Sequence, residues 1–92
     1  MTMLEALEIT GDADLVEIEP DKAETRTDRV LVFIDHENET IYLWRGSKAS
    51  VFKKLNGTRV IARLSHKYPN YRIKPIAEGR EPAAFKSLLK RR

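Results

Sequence analysis

Residues 40–50 read TIYLWRGSKAS, and the pattern changes halfway along. TIYLW is rich in β-branched and aromatic residues and ends on the chain's single tryptophan, Trp44, which reads as a strand. Arg45-Gly46 breaks the strand, and then either Ser47 or Ser50 can cap a helix. Just upstream, RVLVFID at 29–35 is continuous in apolar β-branched and aromatic residues. Such a run is buried on both faces, which makes it the central strand of a sheet covered on two sides. HENE at 36–39 is then the turn of a hairpin, with Asn38 tolerating unusual backbone angles.

Working outward, ALEI (6–9) and LVEIE (15–19) read as short strands around a GDAD turn in which Gly11 frees the backbone. Pro20 ends the second of them, and the polar, unpatterned segment 21–28 is a loop. From Ser47 to Tyr68 the spacing predicts a helix. At about 100° per residue, Ala49, Gly57, Val60, Ile61, Leu64 and Tyr68 share one face. Gly57 within that face costs about 1 kcal/mol of helix propensity and is explained if the helix comes close to the sheet. Pro69 closes the helix. YRIKPIA (71–77) is a strand whose internal Pro75 places it at a sheet edge, and Glu81-Pro82 opens a short helix with Phe85, Leu88 and Leu89 on one side. The fold class expected is α+β: a mixed central sheet of about five strands sandwiched between one long and one short helix.

The 92 residues make one small domain with a modest core. No cysteine is present, which excludes disulfides and thiolate chemistry. The longest apolar run, VLVFI, is too short to span a bilayer, and the acidic MTMLEALE start is unlike a signal peptide. A cytoplasmic location is therefore expected. The net charge of +3 conceals an asymmetry: residues 1–39 hold twelve acids and three bases, residues 40–92 two acids and fourteen bases. Either the halves take different faces and create a dipolar field that steers an acidic partner, or they interleave and cancel locally.

Four markers in order carry a family resemblance. A buried strand ends in Asp35, and a second carries Tyr42-Leu43-Trp44-Arg45-Gly46. After the helix, a strand ends in Glu78-Gly79, followed by Glu81-Pro82-Ala83-Ala84-Phe85. The series resembles the gelsolin-like repeat of gelsolin, severin and villin, over about residues 6–89, with the chain 1–92 as a single such domain and a basic tail, Lys90, Arg91 and Arg92. Family members usually bind calcium through a Gly-Asp at the start of the buried strand and a Glu on the long helix. Here those positions hold Arg29-Val30 and Lys53, the opposite of the anionic oxygens a hard cation needs. Loss of the calcium site is expected, with Asp28 and Asp35 as a weaker metal alternative and no cofactor.

Opposite its sheet-facing stripe the long helix carries a second one. Val51, Phe52, Leu55 and Ala62 run along it, bordered by Arg59, Arg63 and His66. An exposed apolar stripe with a basic border marks a binding surface, unless Met3-Leu4 and Leu7 fold over it. In gelsolin-like repeats this helix enters the cleft of actin. The resemblance therefore implies a non-enzymatic module that binds actin, or an actin homologue, holding monomers or capping ends, since severing in the family generally needs several linked repeats. A homodimer through the same stripe is the alternative. Anionic lipid at the basic tail is a weaker partner. Nucleic acid is disfavoured, because only Tyr68 and Tyr71 are placed to stack on bases. The cluster Asp35, His36, Glu37 and Glu39 reads as a solvated turn before a metal site, Trp44 as core before a ligand platform, and His66 lacks a catalytic partner.

Overall fold

The computed structural model describes residues 4–10 and 15–91. The expected GDAD turn, Met3 and Arg92 lie outside the described residues, as does the Arg91 side chain. Five strands, β1 (Leu4–Ile9), β2 (Leu15–Ile18), β3 (Val30–Asp35), β4 (Thr40–Arg45) and β5 (Arg72–Ala77), form one sheet in the order β2-β1-β3-β4-β5. Neighbouring pairs are antiparallel except β4 and β5, which run parallel because the helix α1 (Val51–Lys67) carries the chain back between them. The second helix, α2 (Ala83–Arg91), ends the described chain. Among the described residues no helix is long and apolar enough to cross a membrane.

The alternation of the strands divides the core in two. Ala6, Leu31, Phe33, Tyr42, Trp44 and Ile76 point to one face, where α2 covers them with Phe85 and Leu88. Phe85 anchors this layer, meeting Phe33 edge-on at 5.5 Å and Tyr42 at 5.3 Å. Ile9, Val30, Val32, Ile34, Ile41 and Leu43 point to the other face, under α1. Every residue of β3 is buried, as its unbroken apolar run demands. The sandwich of a long and a short helix is thus as expected, with β5 at an edge.

Ser50 is the cap of α1, its hydroxyl accepting from the Lys53 N–H at 3.1 Å. The helix therefore starts one turn later than a start at Ser47. Gly57 comes so close to the sheet that a β-carbon would lie 3.1 Å from both Leu43 and Val30, which accounts for the glycine. Position 46 is tighter still, since a β-carbon there would fall 2.2 Å from the Thr27 carbonyl oxygen. In the 36–39 turn the positive φ belongs to Glu39 (49°) and not to Asn38, because Asn38 uses its amide groups on the Asp35 carboxylate. The segment after β2 is also less irregular than expected, with a single 3-10 turn at Pro20–Lys22.

The sheet order decides where the charge goes. β2, β1 and β3 come from the acidic half and β4 and β5 from the basic half, so the halves share one sheet without interleaving. Glu17 and Glu19 are exposed beside one edge, and Arg72 and Lys74 on the other. Replacing Gly46 by alanine forces the 24–28 loop away from β4. The expected loss is about 2 kcal/mol or more, in the range of overpacked sites, measured by urea denaturation.

Candidate functional site

The strand exit at β4 is where three of the four sequence markers meet, Asp35 lying at the other end of the β3–β4 hairpin. Trp44 is 1% exposed, and its indole N–H donates to Glu81 Oε2 at 3.0 Å. The other Glu81 oxygen accepts the Gly79 N–H at 3.0 Å, and Gly79 itself holds φ at 89°, a conformation that favours glycine. Glu78 Oε1 accepts the Ser47 N–H at 2.7 Å, while the Ser47 hydroxyl lies 2.9 Å from that of Thr27. Trp44 is thus a core residue and not a ligand platform, and its polar edge ties the β4 exit to the start of α2.

This corner sets the direction in which α1 leaves the sheet. Gly57, Val60, Ile61, Leu64 and Tyr68 turn toward the sheet as expected, and Ala49 packs in the same cluster. The opposite face is open: Val51 is 78% exposed, Phe52 73% and Leu55 46%. Arg59, Ala62, Arg63 and His66 are exposed along the same side. Leu4 and Leu7 do not fold over this stripe. They belong to β1, packing on the α2 side and the α1 side of the sheet respectively.

At the foot of α1, Lys53 Nζ donates to the Asp28 carbonyl at 3.2 Å. Arg29 is clamped by both Glu8 oxygens at 2.9 Å and also donates to the Glu24 carbonyl. Asp28 and Asp35 do not share one metal site, because Asp28 precedes β3 and Asp35 ends it, and the length of that strand, at about 3.3 Å per residue, lies between them. Among the described residues no group of three or more histidine, aspartate and glutamate side chains is placed to share a metal ion. The 36–39 segment is a hairpin turn whose histidine is structural. His36 lies 2.8 Å from the Tyr71 hydroxyl and 3.0 Å from Glu5 Oε2, with Tyr68 and Tyr71 stacked at 4.7 Å. Burial is the main cause raising the Tyr71 phenol above its ordinary pKa, with nearby Glu39 adding to it. In the tail, Lys90 is exposed on α2.

Two features escaped the sequence reading. One is the His36 bridge between β1, the hairpin and Tyr71, the residue before β5. The other is Arg45, whose Nε is buried with no hydrogen-bond partner among the described residues.

With three of the four markers converging on one corner, and Asp35 closing β3 at the opposite, hairpin end of the same sheet, the chain belongs to the gelsolin-like domain family. It is 62% identical to the Thorarchaeota ProGel, crystallised in complex with rabbit actin, with a TM-score of 0.89, covering 95% of this chain and 99% of that one. It is also similar to the Thorarchaeota 2DGel3, crystallised with rabbit actin, at 22% identity and a TM-score of 0.76. That match spans 95% of this chain but 46% of the other and shows the fold alone. No family model and no curated protein matches the chain.

The Ser47 N–H and the Thr27 hydroxyl hold Glu78 below the usual carboxylate range, and the Trp44 indole does the same for Glu81. A carboxyl whose pKa is lowered by folding stabilises the fold above its unfolded value, and that contribution disappears as pH falls through the folded value. The thermal midpoint should therefore drop between about pH 5 and pH 3. Glu78→Gln and Glu81→Gln should start lower at neutral pH and show a shallower drop, measured by circular dichroism across that range.

Proposed function

We propose that the chain binds actin, holding monomers or capping filament ends, through the outward face of α1 and without calcium. The observation that carries this is the open row of Val51, Phe52 and Leu55 on a helix otherwise packed by its opposite face. A helix docked on a sheet by one side is normally polar on the other, so three large apolar residues left in water imply a partner. The basic residues Arg59, Arg63 and His66 beside them suit an acidic protein surface. Identity to a protein crystallised with rabbit actin, over nearly the full length of both chains, supports actin as that partner.

Calcium independence follows from the foot of α1. An ion entering there would meet the Lys53 ammonium, already donating to the Asp28 carbonyl. It repels a divalent cation and supplies no oxygen.

Phe52→Ser combined with Leu55→Ser should abolish the effect on pyrene-actin assembly while leaving the thermal midpoint within a few degrees, because both side chains are already exposed. If the double variant instead converts a dimer to a monomer by light scattering, and actin assembly never responds to the wild type, the stripe is a self-association face. Calcium against chelator should change neither the thermal midpoint nor actin binding. A midpoint raised by calcium would overturn that part of the reading.

A further inference from the structure

Arg45 stands out because it closes β4 on the α1 side of the sheet and has no partner for its buried Nε among the described residues. Leaving a buried donor unpaired is costly, and more so when it carries charge. The two acids of the basic half of the chain are committed elsewhere, Glu78 to Ser47 and Glu81 to Trp44 and Gly79. Arg45 lines a groove of about 480 Å³ that runs along β5. Lys74 and Arg80 add two further cations, Ile73, Pro75 and Pro82 give it apolar walls, and among the described residues no carboxylate lines it.

The groove is not built for an added strand. Arg72 and Glu78 send their N–H groups inward to the Glu39 and Arg45 carbonyls of the β4 side, at 2.9 and 3.0 Å. The odd-numbered residues between them therefore present the outer edge, and at its middle Pro75 has no N–H to offer. What fits is a side chain: a carboxylate between apolar walls, received by the Arg45 guanidinium.

On the α1 side, the groove wall residue Ile73 packs against the same core cluster as Ile61 and Leu64 of the helix. Lys53 reaches Asp28 on the β3 flank of the helix. Turning about 100° per residue places Lys54 and Thr58 on the other flank and Val51 and Leu55 beyond them on the outward face. We infer that the groove along β5 is a second contact for the protein that covers α1, and that Arg45 takes up a carboxylate side chain of that protein. This rests on the actin reading above.

The test measures binding of fluorescently labelled rabbit actin monomers by anisotropy, with thermal midpoints in parallel. Arg45→Met keeps the apolar stem and removes the unpaired donor. It should weaken binding about 10- to 100-fold, the range for a lost charged hydrogen bond, while the midpoint stays level or rises. Arg45→Lys, which keeps the charge without the fork, should fall between. The exposed pair Lys74→Glu with Arg80→Glu should weaken binding independently of any effect at position 45. Wild-type affinity in Arg45→Met, with binding abolished by Phe52→Ser and Leu55→Ser, overturns the inference and leaves the actin reading standing. A midpoint lowered by several degrees in Arg45→Met makes Arg45 a structural residue and overturns it too. If wild-type protein does not bind actin at all, both fall together.

Discussion

Where β4 leaves the sheet, its backbone passes so near the 24–28 loop that no side chain fits at position 46. The approach is held by backbone bonds on both sides. The Gly46 N–H donates to the Arg29 carbonyl and the Lys48 N–H to that of Thr27, each at 2.8 Å. Everything downstream depends on this contact. It turns the chain out of the plane of the sheet and presents the Ser47 N–H to Glu78. It also places Ser50 where it can cap a helix lying over β1, β3 and β4. The indole of Trp44 completes the corner from below, joining the α2 side of the core to the same turn. One glycine, one tryptophan and two glutamates thus orient both helices, which explains why these markers occur together in the sequence.

The sheet order has an electrostatic consequence that composition alone left open. A hairpin joins the acidic and basic halves at its centre, and each half then builds outward to its own edge. The pairs Arg29–Glu8, Arg26–Glu24 and His36–Glu5 are satisfied within the acidic half. The basic edge keeps exposed cations in Arg72, Lys74 and Arg80, the first two on the face of the sheet that α2 covers. The asymmetry of the sequence thus survives folding as a basic edge opposite an acidic one, a dipolar field of the kind that steers an acidic partner.

Strands, helices and their faces were legible because each has a period of its own, and β3 announced its burial by an unbroken run. The α1 stripe could be read for the same reason, since Val51, Phe52 and Leu55 recur at helical spacing. What could not be read depends on contacts between residues far apart in the chain. Ser47 and Ser50 are equal candidates for a cap until Thr27 and Glu78 occupy the first. His36 looked like a turn residue because Glu5 and Tyr71 lie more than thirty positions away on either side. Arg45 is the clearest case. Its lack of a partner is visible only once Glu78 and Glu81 are seen to bond elsewhere.

The first turn of α1 shows how the surface is kept available. Lys53 and Lys54 stand at the positive end of the helix dipole with no acid among them, an arrangement that costs a few tenths of a kcal/mol for each charge. Val51 and Phe52 add nothing to the core there, and burying them would gain about 1.5–3 kcal/mol apiece. The Ser50 cap, the Gly57 contact and the Lys53 bond to Asp28 hold the turn helical without covering it. On the proposed reading, an acidic partner laid over this turn would remove the dipole penalty and cover the two apolar side chains, and a carboxylate of the same partner would meet Arg45. The basic helix start, the exposed aromatic surface and the buried Arg45 Nε without a partner among the described residues would then be answered by one event.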